Sequence, residues 1–197
     1  MVTDARYGTP RIYTRAVEDE AGAQALEDDL RKTPGVIVSR RNILELSTLP
    51  ASDPMEPSQW SLNAIHAIEA ATLSGDGAGT KVAVVDSGIA VHPDLAGRVV
   101  ASKDFVGVPG SKFHGTSVAG IIAANADNGI GVRGVAPGVS LLDARVCMDS
   151  TSYGCPSELV ANGIVWAVSQ GADVINLSLG GVYDPGVATA VSYALSH

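Results

Sequence analysis

From residue 61 onward, short apolar runs alternate with segments of helical periodicity, and this alternation constrains the fold more than any other feature of the chain. The pattern predicts helix 61–73, strands 81–86 and 99–105, helix 114–126, strand 139–146, helix 157–170, strand 173–178 and helix 186–196. Runs such as Val82-Ala83-Val84-Val85 are apolar at consecutive positions, so both faces of the strand must be covered. Strands of that kind separated by helices specify an α/β fold with a doubly wound parallel sheet. The segment from Ser157 is the clearest helix: Ser157 is its expected N-cap, Leu159, Val160, Ile164, Val165 and Val168 form its apolar stripe, and Gly171 stands just past its end.

The first fifty residues have a different character. Asp19 to Lys32 places Ala21, Ala25, Leu26 and Leu30 near one helical face, with acids early, Arg31-Lys32 late and Pro34-Gly35 as a stop. Val36-Ile37-Val38, Ile43-Leu44 and Arg11-Ile12-Tyr13-Thr14 read as strands. Pro50, Pro54 and Pro57 punctuate a connector from Leu49 to Pro57. The expected organisation is therefore a small α+β unit over residues 1–50 and a larger α/β unit over 51–197.

At 46% apolar and 17% charged residues, the chain has the material for a packed domain with an appendage. A net charge of -8, with 13 Lys and Arg spread along the sequence, argues against nucleic acid as a partner, because phosphate contacts need clustered cations. No apolar stretch approaches the ~18 residues that span a bilayer, so no membrane partner is expected. Met1-Val2-Thr3-Asp4 does not open a signal peptide. Cys147 and Cys155 bracket a turn-like stretch that suits either a disulfide or two separate thiols; a bridge would point to an oxidising compartment.

Two polar groups stand where chemistry is expected. Asp86 ends the run Val82 to Val85 and precedes Ser87-Gly88, which puts a carboxylate at the carboxyl edge of the sheet, where open α/β folds gather functional groups. His114 opens a helix rich in small residues 28 positions later. The positive end of that helix favours a neutral imidazole, as a general base requires. Asp86-Ser87-Gly88-Ile89-Ala90 does not supply the G-x-G-x-x-G of a nucleotide-binding turn.

The segments KVAVVDSGIAVHPDL, FHGTSVAGIIAA, GIGVRGVAPG and GADVINLSLGG, in this order, resemble those of the subtilisin-like serine proteases over residues 53–197. Aspartate before histidine, with serine last, is the chain order of the subtilisin triad. The resemblance implies a serine endopeptidase that cuts polypeptide substrates, with Asp86 orienting the imidazole and His114 taking the serine proton. Ser178, Leu179 and Gly180 resemble the edge that pairs with substrate. The segment Ala126 to Val132 resembles a calcium loop, which implies oxygen ligands from Asp94, Ala126, Asn128, Ile130 and Val132, with Asp53 or Gln59 as further candidates; a Gly-rich turn without metal is the other reading. Phe113 departs from the family pattern, in which Gly commonly precedes His-Gly-Thr, and the interval from Asp86 to His114 is short.

By the same resemblance, residues 1–50 correspond to the later part of a propeptide that assists folding and then acts as an intramolecular inhibitor, with maturation between Ser47 and Asp53. The product is expected to be secreted as a proenzyme, its signal peptide lying before Met1. The family's oxyanion asparagine and catalytic serine fall beyond His197, so the chain reads as truncated ahead of its nucleophile and is expected to be inactive alone. Ser117, despite its Gly-Thr-Ser context, belongs to the histidine helix and is not a replacement. A non-catalytic, peptide-binding relative is the alternative reading.

Overall fold

The computed structural model describes residues 2–4, 11–13, 16–34, 36–38, 53–148 and 154–197. The chain divides into two compact units, Met1–Thr48 and Leu49–His197.

In the first unit, strands β1 (Val2–Asp4), β2 (Arg11–Tyr13) and β3 (Val36–Val38) form an antiparallel sheet in the order β2-β1-β3. Helix α1 (Glu20–Leu30) starts at Asp19, whose carboxylate accepts the Gly22 N–H at 2.7 Å and so satisfies one of the amides left open at a helix start. The sequence does not predict strand β1, since Val2-Thr3-Asp4 carries too little apolar pattern by itself. The expected strand at Ile43-Leu44 lies outside the described residues.

The second unit is the α/β fold anticipated above. Strands β4 (Lys81–Asp86), β5 (Val99–Asp104), β6 (Ser140–Arg145) and β7 (Val174–Asn176) form a parallel sheet in the order β5-β6-β4-β7. Alternation along β4 divides the core. Val82 and Val84 face helix α4 (Phe113–Ala123), packing with Leu141, Ala119 and Ala123. Val85 faces helices α5 (Ser157–Ser169) and α6 (Pro185–Leu195) with Ala144, Val160 and Ile164. Helices on both faces of a parallel sheet make the unit doubly wound. Among the described residues, no helix is long and apolar enough to cross a membrane.

Two local expectations need correction. The helix expected over 61–73 is two, α2 (Trp60–Ala64) and α3 (Ala67–Ser74), because His66 takes a left-handed conformation at φ 55° and breaks the hydrogen-bond run. Ser157 is the first residue of α5 and not its cap: Pro156 precedes the helix, and the Ser157 hydroxyl hydrogen-bonds Asp184, whose carboxylate caps α6.

Cys147 and Cys155 form a disulfide that ties the segment after β6 to the approach to α5. Closing a loop of this length removes unfolded-state freedom worth about 2–3 kcal/mol on a chain-entropy account.

Candidate active site

Strand β4 carries Asp86 to the carboxyl edge of the sheet, where the side chain is 2% exposed. Its backbone carbonyl accepts the N–H groups of Val146 and Cys147, so both strands are fixed at this point. The carboxylate accepts the Ser87 N–H at 2.6 Å and faces the His114 imidazole, with Nδ1 at 2.7 Å from Oδ1 and 2.9 Å from Oδ2. A carboxylate offers only lone pairs, so the hydrogen of a neutral ring sits on Nδ1 and its lone pair on Nε2. The His114 side chain is 54% exposed. One end of the pair is therefore buried and fixed, and the other reaches solvent.

The turn after Asp86 and the first turn of α4 are locked together on both sides. The Ser87 hydroxyl accepts the Gly115 N–H at 3.0 Å, and the Thr116 hydroxyl accepts the Ala90 N–H at 2.8 Å while donating to the Lys112 carbonyl. Gly115 is required here by close approach: a Cβ at that position would lie 2.4 Å from the Gly88 carbonyl oxygen. The small residues of the histidine helix thus let it sit against the Asp-Ser-Gly turn, and that contact sets the Asp86 to His114 distance.

A cleft of about 130 Å³ opens beside the pair, lined by Asp86, His114, Cys147, Cys155, Ser178 and Leu179 among others. The expected substrate edge is therefore brought to the histidine through Ser178 and Leu179, while Gly180 is exposed and does not line this cleft. Phe113 is 77% exposed. The Ser117 hydroxyl donates to the Phe113 carbonyl one turn earlier in α4.

Of the ligands expected at the calcium loop, the side-chain oxygens of Asp94 and Asn128 face N–H groups, while Ala126, Ile130 and Val132 would offer backbone carbonyls. Asp94 accepts Asn128 Nδ2 at 2.9 Å and the Val132 N–H at 3.0 Å, and Asn128 Oδ1 accepts the Ile130 N–H. Asp53, fully buried, accepts the N–H groups of Asp127, Asn128 and Gly129. Gln59 exchanges two hydrogen bonds with the Arg133 backbone. A cation needs 6 to 8 converging oxygens. With Asn128 turned this way its amide oxygen does not converge with Asp94 on a cation, and among the described residues no group of three or more His, Cys, Asp or Glu is placed to hold a metal.

Sequence reasoning missed the groups beneath the site. Asp143 and Arg145 point from β6 toward the α4 face and are each 3% exposed. Burial raises the Asp143 pKa, an effect the Ile89 backbone, the Lys112 charge and Ser102 partly offset. The available signal was two charges inside the otherwise apolar Ser140-Leu141-Leu142-Asp143-Ala144-Arg145-Val146.

Comparison with known proteins identifies the family. A family model described as the subtilase family (peptidase S8) matches residues 77–196. The chain is 44% identical over 150 residues to thermitase of Thermoactinomyces vulgaris, covering 73% of this chain and 53% of thermitase. It is 51% identical over 175 residues to subtilisin E of Bacillus subtilis, covering 86% of this chain and 43% of that protein. It therefore spans about half the length of the curated relatives it matches. Among solved structures, a protease from Pseudoalteromonas arctica superposes with a TM-score of 0.62 at 28% identity, over 74% of this chain and 56% of the other. On the family match, on these identities and on the shared parallel-sheet fold, the chain belongs to the subtilisin-like serine proteases of the subtilase family.

Proposed function

We propose that this chain supplies the acid and base of a serine endopeptidase, Asp86 and His114, and one side of its peptide-binding cleft. The observation that carries the reading is the buried Asp86 carboxylate held 2.7 Å from Nδ1 of a half-exposed histidine at the mouth of a cleft. Asp86 fixes the tautomer and stabilises the imidazolium as it forms; Nε2 takes the proton of the attacking hydroxyl and returns it to the leaving amine. An acyl-enzyme then forms on a serine. By the family's motif order, that serine and the oxyanion donor are assigned to sequence after residue 197. Ser178 and Leu179 are read as the cleft wall along which an extended peptide lies.

Residues 1–50 are read as a propeptide-like unit that acts on its own protease domain as folding aid and inhibitor. The Cys147–Cys155 bridge supports a secreted product, since such bonds persist in oxidising compartments. Calcium at loop 126–132 belongs to this reading only if Asn128 turns its amide oxygen toward Asp94.

A fluorophosphonate directed at activated serine tests the assignment. The purified 197-residue chain is expected to remain unlabelled, and the gene product from its source is expected to be labelled and to lose the label in His114→Ala. Labelling of the 197-residue chain would overturn the placement of the nucleophile.

A further inference from the structure

The Asp86–His114 pair rests on a turn, and the turn rests on one buried cation. Asp86 and Arg145 are register partners across the parallel β4 and β6 strands. The Arg145 Nε donates to the Ser87 carbonyl at 3.2 Å, while Nη1 donates to Asp104 Oδ2 at 2.7 Å and to the Val108 carbonyl at 2.6 Å. Its aliphatic stem lies directly under Gly88, where a Cβ would come within 3.0 Å of the Arg145 Cδ. One guanidinium thus joins the Asp-Ser-Gly turn to the end of β5 and the segment that follows it.

Ser87 is the residue through which such a tie reaches both members of the pair. Its N–H goes to the Asp86 carboxylate, its hydroxyl receives the Gly115 N–H beside His114, and its carbonyl receives Arg145. Ser87 thus touches both the acid and the helix that carries the base, so a shift of its backbone disturbs both.

Stability alone is a poor account of Arg145. Burying a guanidinium carries a large desolvation cost, and its carboxylate partner Asp104 is 47% exposed, which weakens the attraction that offsets it. An apolar side chain would fill the same space without that cost. What the guanidinium offers instead is a planar array of donors at fixed angles, which an apolar group lacks and a single ammonium cannot reproduce.

We infer that Arg145 is a positioning residue, which fixes the Asp86–His114 geometry by pinning the Ser87 carbonyl. This rests on the reading of that pair as acid and base, but its test does not depend on hydrolysis.

The measurement is proton NMR of the 197-residue chain, following the downfield Nδ1 proton of His114 that a short hydrogen bond to a carboxylate produces, assigned by its loss in His114→Gln. In Arg145→Lys, which keeps the charge, and in Arg145→Gln, the resonance is expected to move upfield and its exchange with water to accelerate about tenfold or more, reporting local opening of the pair. Leu142→Ala, a buried core change on the same strand, is expected to lower Tm and leave the resonance in place. If both Arg145 variants fold and keep the wild-type resonance and exchange rate, Arg145 is merely structural and the inference is wrong. Should neither fold, Gly110→Ala decides, because its Cβ would lie 2.7 Å from Arg145 Nη2 and displace the guanidinium without removing it. An unchanged resonance in that variant overturns the inference; an upfield move supports it. Labelling of this chain by the serine probe would change where the nucleophile lies and leave this result standing, whereas absence of the downfield proton from the wild-type chain would remove the pair itself.

Discussion

Two corners of the larger unit each bury aspartate, and they use it in opposite ways. At the carboxyl edge of β4, Asp86 accepts one backbone N–H and turns its charge to an imidazole that reaches solvent. Against the 126–132 loop, Asp53 and Asp94 give their charge to four of its backbone N–H groups and one side-chain amide. The first arrangement leaves a group that can gain and lose a proton; the second leaves only fixed donors. Burial of a carboxylate therefore says little about function until its partners are known, because the same desolvation is offset by scaffold in one corner and by a titratable ring in the other.

The widest separation between the corners is expected in turnover. In a gene product that carries the nucleophile, Asp86→Asn should lower kcat by about 10⁴-fold by favouring the wrong imidazole tautomer, while costing only about 1 kcal/mol of stability because the shapes match. Steady-state kinetics on a peptide substrate and chemical denaturation of the same variant check the two halves. A variant that unfolds and keeps the activity of its folded fraction would place Asp86 with the scaffold aspartates.

Asp53→Ala should reverse that pattern. It leaves three N–H groups without their acceptor inside the protein, and the expected loss is about 3–4 kcal/mol by denaturant titration, with kcat of the folded enzyme close to wild type.

The site was more legible in the sequence than the support beneath it, and the reason is range. Asp86 and His114 each sit in a local motif, at the end of an apolar strand and at the start of a small-residue helix, and the resemblance of the four linked segments to one family marks them. Ser87 and Gly115 lie inside those motifs, yet their contact depends on how closely α4 approaches the turn. Arg145 and Asp143 matter through strand register, which places Arg145 beside Asp86 and Asp143 beside Val84, and no local pattern announces which parallel strands pair. The same limit explains α2 and α3: the apolar spacing across 61–73 suits one helix, and only the left-handed His66 divides it. The spacing of Cys147 and Cys155 suits a bridge or two separate thiols, and only the packing of the segment after β6 against the approach to α5 decides for the bridge.

Gly131 tests whether the scaffold corner is as rigid as its hydrogen bonds imply. Its φ is +59°, and a Cβ there would lie 2.2 Å from Asp94 Oδ2. Gly131→Ala should cost about 2–3 kcal/mol from backbone strain and the displaced carboxylate. If calcium binds once Asn128 turns, melting temperature will rise with added calcium and fall with a chelator in the wild type, and the response will shrink in this variant. A wild-type melt indifferent to both leaves the loop as pure scaffold.

Asp143 belongs to neither corner and gives the smallest expected effect. One of its oxygens, Oδ1, is buried without a hydrogen-bond partner among the described residues, and burial raises its pKa. A carboxyl whose folded pKa lies above its unfolded value binds protons better in the native state, so its contribution is fully present below the unfolded pKa of 3.8 and is lost as pH rises through the folded one. Asp143→Asn removes that titration. Relative to wild type, the variant should therefore gain stability as pH is raised from about 4 to neutrality, with the difference levelling off once the wild-type carboxyl is ionised. Thermal melts of both proteins across that range check the sign. A difference that grows toward low pH instead would mean that Asp143 is held as a carboxylate by Lys112 and its hydrogen-bond donors, and it would then join Asp53 and Asp94 as an acid whose charge the fold requires.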